Sequence, residues 1–253
     1  MTNNSPALHD NGEYAAAAGR LRRMERRLIA AAFVIGAVFV LLLLAVKWPR
    51  YWEYIASEQT PMTWLQSVVW FGCGLLALLS LTLVYARRGF RLEAAVWLLL
   101  AGACFFLMAD ERFALHERVR DHWLKPADIR LLPWMGAGDF VILLYAVVAL
   151  CFLVYIYRVF KVRKAAWIWF CIAAGLAAAA VVMDSFDVSR MSKDAERLEQ
   201  TLEEIVELTS VLALLSAKLL MLNHNLMAWA TPDSNVSGPA AADGTAETAR
   251  RPL

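Results

Sequence analysis

The sequence predicts an all-α polytopic membrane protein, a bundle of six transmembrane helices in a single domain. Three observations carry that prediction. Sixty per cent of the 253 residues are apolar, against roughly 45–50% in an average soluble domain. The excess lies in long blocks that meet or approach the ~20 apolar residues needed to cross a bilayer. Basic residues gather in alternate connections between those blocks, the pattern that orients a membrane protein.

The first span covers residues 28–46. The polar stretch before it is long for a signal n-region, and no small-residue cleavage pattern precedes Lys47-Trp48-Pro49-Arg50. It is therefore expected to be retained as an anchor. The second span, 64–85, carries Gln66 and Ser67, which could line a cavity but more often join helices. The third, 94–109, is short in apolar length. Helix propensity continues through 111–117, so the helix is expected to run on past the hydrocarbon edge.

The fourth span, 140–159, follows Asp139, which suits a helix N-cap as well as a site residue. The fifth covers 165–183 and the sixth 205–228. Thr209, Ser210 and Ser216 lie in the sixth. Lys218 does too, within snorkelling reach of an interface, so a snorkelled side chain is expected. Around the 20–230 membrane domain, residues 1–19 and 231–253 are polar and weakly patterned, and both are expected to be disordered tails.

Orientation follows from the short loops. Arg20, Arg22, Arg23, Arg26 and Arg27 precede the first span. Arg87, Arg88 and Arg91 join the second to the third, and Arg158, Lys161, Arg163 and Lys164 join the fourth to the fifth. Both termini are then cytoplasmic. Trp48, Trp52, Trp64, Trp123, Trp134, Trp167 and Trp229 fall near span ends, as an aromatic belt requires. The Ala/Leu/Arg bias and the retained first span suggest a bacterial inner membrane, with the lipid bilayer as the first partner.

Several functions are disfavoured. A net charge of +2 suggests no nucleic-acid partner. Cys73, Cys104, Cys151 and Cys171 each sit alone in an apolar block and read as small buried hydrophobes. His224 and His116 lie a membrane apart, which argues against a bis-histidine haem. There is no P-loop, Rossmann fingerprint or nucleophile elbow.

The chemistry-bearing residues lie at the other end. Asp110 and Glu111, with His116 and Glu117, close the third span. On a continuous helix Asp110 and Glu117 share a face, Asp121 follows one turn on, and His116 lies on the flank. Asp184 and Asp187 close the fifth span; Glu203, Glu204 and Glu207 open the sixth. The topology puts all three sets at one depth on one side. Carboxylates near the bilayer are costly unless paired, hydrated or neutralised.

A divalent metal ion (zinc, manganese or iron) would offset that cost, and Asp, Glu and His are its ligand set. The candidate ligands are Asp110, His116, Glu117, Asp184, Glu203 and Glu207, with Glu111 as general base. No Glu-x-x-His or His-Glu-x-x-His is present, because Phe113 and Arg120 occupy the needed positions. The competing reading is an ion-pair network. Arg112, Arg118, Arg120, Arg130, Arg190 and Arg197 share those loops and could neutralise every acid.

The Asp-Glu-x-x-x-x-His-Glu segment at 110–117, with the later Glu203-Glu204, resembles a group of uncharacterised bacterial multi-pass membrane proteins. The resemblance covers about 20 residues and implies a recurring motif, not an activity. A broader likeness is to the membrane hydrolases that include alkaline ceramidases and progestin/adiponectin-receptor-like proteins. It implies a membrane-embedded zinc held by several histidines. This chain lacks their His-x-x-x-His pair, so no zinc ligand carries over.

Three functions follow as expectations. The first is a metal-dependent hydrolase acting on a lipid or envelope substrate from the outer side. The second is a scaffold or membrane-protein partner whose acids only form ion pairs. The third, transport of protons or ions, is disfavoured because spans four and five have no charged residue at their centres.

Overall fold

The computed structural model describes residues 6–57, 59–131, 138, 140–185 and 191–230. Among them the chain forms helices and no strand. They are α1 (Pro6–Lys47), α2 (Trp52–Ile55), α3 (Pro61–Arg88), α4 (Leu92–Phe113), α5 (Leu115–Val119), α6 (Phe140–Phe160), α7 (Lys164–Asp184) and α8 (Lys193–Ala230). Six of these are long and apolar enough to cross a membrane: α1 from Ala16, α3, α4, α6, α7 and α8. The chain is therefore an all-α, multi-pass membrane protein. Exposed Ile35, Leu41, Leu150 and Val154 ring the bundle, an apolar surface suited to lipid rather than water.

Two boundaries differ from expectation. Helix α1 begins at Pro6, inside the stretch expected to be a tail, where the Ala15–Ala18 run favours helix over coil. The 231–253 tail lies outside the described residues. At the other site, α4 does not run on through residue 117. Ala114 adopts φ 48°, ψ 50°, a left-handed conformation that ends α4 and turns the chain into the short α5. A π-helical turn, Arg120–Leu124, follows.

Helix α8 is the centre of the bundle. Ser210 Oγ donates to Ala173 O of α7 (2.9 Å), and Gln66 Nε2 of α3 donates to Glu204 O (3.1 Å). The Cys73 Sγ of α3 faces Val211 O at 3.8 Å. These pairs place α3 parallel to α8. Asn223 meets Glu25, and Gly36 meets Leu212, so α1 runs antiparallel to α8. On α7, Ala166, Ala173 and Ala180 are buried two turns apart. Such a stripe of small side chains lets two helix backbones approach closely.

Helices α3 and α4 form an antiparallel hairpin with a similarly tight contact. A Cβ at Gly74 would come 2.7–3.0 Å from three ring atoms of Phe105. Gly74→Ala is thus expected to lower stability by about 1–3 kcal/mol, the usual range for overpacking. Thermal unfolding in detergent micelles checks this. An unchanged midpoint would show that the Phe105 ring rotates aside at no cost.

The basic end is closed by a polar joint. Glu25 of α1, 3% exposed, accepts from Arg163 Nη1 at 2.9 Å and Nη2 at 2.6 Å, and from Asn223 Nδ2 at 3.0 Å. Arg163 Nη1 also donates to Leu220 O. One carboxylate therefore ties α1, the α6–α7 connection and α8 together. Helix α6 is the least enclosed span. Its buried residues, Ile156, Val159 and Phe160, sit in its last turns.

Candidate functional site

The acidic end is organised by the break at Ala114. A left-handed non-glycine residue costs roughly 1–2 kcal/mol. The conformation swings α5 back so that His116 meets Asp110 in the last turn of α4. Asp110 Oδ1 accepts from the His116 backbone N–H (2.8 Å), and Asp110 Oδ2 lies 2.9 Å from His116 Nδ1. Both carboxylate oxygens are engaged, and Asp110 is 5% exposed. An ionised carboxylate at Nδ1 keeps the proton there and makes Nε2 the basic nitrogen. The Asp110 charge also reaches the Tyr145 hydroxyl of α6.

Glu117 does not join that pair. Arg120 Nη2 donates to its Oε1 at 2.6 Å, and Arg120 Nε donates to Asp121 Oδ1 at 3.1 Å. Lys125 Nζ lies 3.7 Å from the same Asp121 oxygen. Burial acts to lower the Arg120 pKa, but the charges of Glu117 and Asp121 outweigh it and hold the guanidinium above its ordinary value. At Asp121 partial burial acts upward, and Arg120 with Lys125 pulls the carboxyl below its ordinary value. Glu117 and Asp121 thus belong to an arginine-centred chain of charges, the competing structural reading for this segment. Gly138 packs over Arg120 with φ 88°, where a Cβ would fall 2.7 Å from Arg120 Cγ.

The third group sits where α7 ends and α8 begins. Asp184 closes α7. Glu199, Glu203 and Glu207 recur every four residues on α8 and share one face. The Asp184 charge reaches Glu199. Both Glu199 carboxyl oxygens are shielded and have no hydrogen-bond partner among the described residues. Sequence reasoning passed over Glu199, although the four-residue rhythm with Glu203 and Glu207 would have found it. Glu111, Asp184, Glu203, Glu204 and Glu207 each interact with other groups.

Among the described residues no three His, Cys, Asp or Glu side chains group to hold a metal ion. The six expected ligands are thus not gathered into one set there: Asp110 and His116 meet, and Glu117 is committed to Arg120. Asp139, Asp187, Arg190 and Trp134 lie outside the described residues.

Two expectations about the core are corrected. Lys218 does not snorkel. It is fully buried, with Nζ 2.8 Å from Cys104 Sγ, 3.3 Å from Cys73 O and 3.5 Å from Leu100 O. The α8 face that carries it looks into the α3–α4 hairpin rather than toward an interface. Cys73 and Cys104 are buried as expected, but Cys151 and Cys171 are exposed on the outer faces of α6 and α7.

A family model described as a domain of unknown function (DUF8692) matches residues 50–222, a stretch that includes Asp110, His116 and the α8 glutamates. No curated protein and no solved structure matches the chain.

Proposed function

The chain belongs to the DUF8692 family, and we propose for it an acid–base site on the outer side of a bacterial inner membrane. The basic loops support that orientation, with both termini cytoplasmic. The observation that carries the site is the buried Asp110 carboxylate on His116 Nδ1. An imidazole held this way takes a proton at Nε2 and passes it on, and the carboxylate stabilises the imidazolium. The reading is hydrolysis of a lipid or envelope substrate, with His116 as base and Asp110 as its positioning residue.

A divalent metal is the second reading. Metal-bound histidines characteristically direct their other nitrogen to a carboxylate, the arrangement His116 has. Glu111, Glu203 and Glu207 are the remaining carboxylate candidates, and among the described residues no three such side chains group with His116. In that reading His116 Nε2 would be a ligand, and the ion would supply activated water.

The test uses full-length protein in detergent with vesicles containing fluorescent phosphatidylglycerol or phosphatidylethanolamine. Wild-type protein is expected to release labelled product. Asp110→Asn is expected to slow release by about 10²–10⁴-fold, the usual contribution of a positioned acid or base. Elemental analysis of the same preparation separates the two readings: stoichiometric metal lost in His116→Ala supports the second. No release from either lipid, together with no stoichiometric metal, would leave the acids as ion pairs in a membrane scaffold.

A further inference from the structure

Two aromatic pairs join α4 to α6. Near the basic end Trp97 packs on Phe160, with ring centroids 5.8 Å apart. Near the acidic end Phe106 meets Tyr145 edge-on at 5.4 Å. Between the two pairs α6 stands clear. Val147, Val148, Ala149, Leu150 and Cys151 are all exposed. Consecutive helical residues point about 100° apart, so five in a row look in every direction. The middle of this span therefore has no face packed on the bundle, its α4 side included.

The opposing flank of α4 is open at the same depth. Gly102 lies one turn before Phe106, on the flank that meets α6. A Cβ at Gly102 would meet no atom within 4 Å among the described residues. Leu98, one turn earlier, is exposed. In the other direction Asp110 follows Phe106 by one more turn, and its charge reaches the Tyr145 hydroxyl. A groove between α4 and α6 thus runs from the middle of the span to the edge of the Asp110–His116 pair.

The walls of the groove decide its occupant. They carry no polar side chain at 147–151 or at Gly102, so ordered water has nothing to bond there. A helix is about 10 Å across and cannot enter a space bridged at both ends by ring pairs. A hydrocarbon chain, one methylene wide, can. We propose that an acyl chain of a phospholipid lies in this groove against Gly102, seating the lipid's ester groups at the depth of Asp110 and His116. This rests on the acid–base reading and names its substrate class: a membrane lipid that enters sideways between α4 and α6, not a water-soluble envelope component.

The test uses full-length protein in a nonionic detergent with phosphatidylglycerol that carries a diazirine midway along one chain. After illumination, labelled peptides are mapped by mass spectrometry. Label is expected on residues 98–106 and 145–151, saturating with dose and displaced by unlabelled phosphatidylglycerol. Gly102→Leu fills the groove. Leucine is a better helix former than glycine and its Cβ enters open space, so the variant is expected to fold as the parent does. It is expected to lower the groove label about tenfold, within the usual effect of overfilling a packed space, and to slow lipid release. Asp110→Asn is expected to keep the label while release falls. Label without release in the wild type therefore sinks the acid–base reading alone, and release without groove label sinks this one. Label spread over the exposed faces of α1 and α6 without displacement, or full label in Gly102→Leu, would overturn the proposal. So would links between two copies through Cys151 that exclude the label, which would make a second chain the occupant.

Discussion

Replacing Glu25 with alanine is expected to lower the stability of the bundle by about 3–5 kcal/mol, the cost of removing one partner from a buried ion pair. The reason is the number of groups that lose their acceptor at once. Arg163 presents both Nη atoms to Glu25 at 2.9 and 2.6 Å, and Asn223 adds a third donor at 3.0 Å. In the variant Arg163 keeps only the Leu220 carbonyl as an acceptor, and the Asn223 amide loses the carboxylate it donated to. Arg163 keeps 21% of its side-chain exposure, so water recovers part of the loss and the lower half of the range is expected. Arg163→Ala should cost a similar amount. The double variant should cost clearly less than the sum, because the two residues share one interaction. Denaturant titration in mixed micelles measures all three. A loss below about 1 kcal/mol for Glu25→Ala would place the pair with solvent-screened surface bridges.

The second large effect is expected at Lys218, where two substitutions should move in opposite directions. Lys218→Ala is expected to destabilise by about 2–4 kcal/mol, because it empties a fully enclosed side-chain volume between α3, α4 and α8. Lys218→Met fills nearly the same volume without the charge, and is expected to be as stable as the parent or up to about 4 kcal/mol more so. The ammonium faces two main-chain carbonyls and a sulfur, and among the described residues no carboxylate is paired with it. Such contacts return only part of the cost of dehydrating a cation. The same unfolding titration decides the matter. If the methionine variant is as weak as the alanine one, the ammonium itself holds the α3–α4 hairpin against α8.

The six spans were legible because apolar length and basic-loop alternation are properties of composition, and lipid tolerates few alternatives. The helical segment of α1 before Arg20 was not, since it has helix propensity without apolar periodicity. The break at Ala114 left no trace either. Alanine is the strongest helix former, and the left-handed turn there goes together with a contact it makes possible, Asp110 accepting from the His116 amide. That turn explains why the expected convergence of Asp110 with Glu117 fails: the two residues are no longer on one helix. Asp110 and His116 were both singled out, but their direct contact depends on the turn. Lys218 and Glu25 were misjudged or passed over for a common reason. Each is compatible with an interface by position along the chain, and only the neighbours 114–198 residues away decide otherwise.

The central position of α8 also bears on how the protein is made. A ribosome delivers α1, α3, α4, α6 and α7 to the bilayer before residue 193 is synthesised. At that stage the carbonyl of Ala173, the amide of Gln66 and the carboxylate of Glu25 have yet to meet their partners on the last helix. The earlier helices must therefore wait in lipid as loosely associated hairpins, and arrival of the final one converts them into a closed assembly. Chains that terminate early lack the shared hub around which the other helices gather.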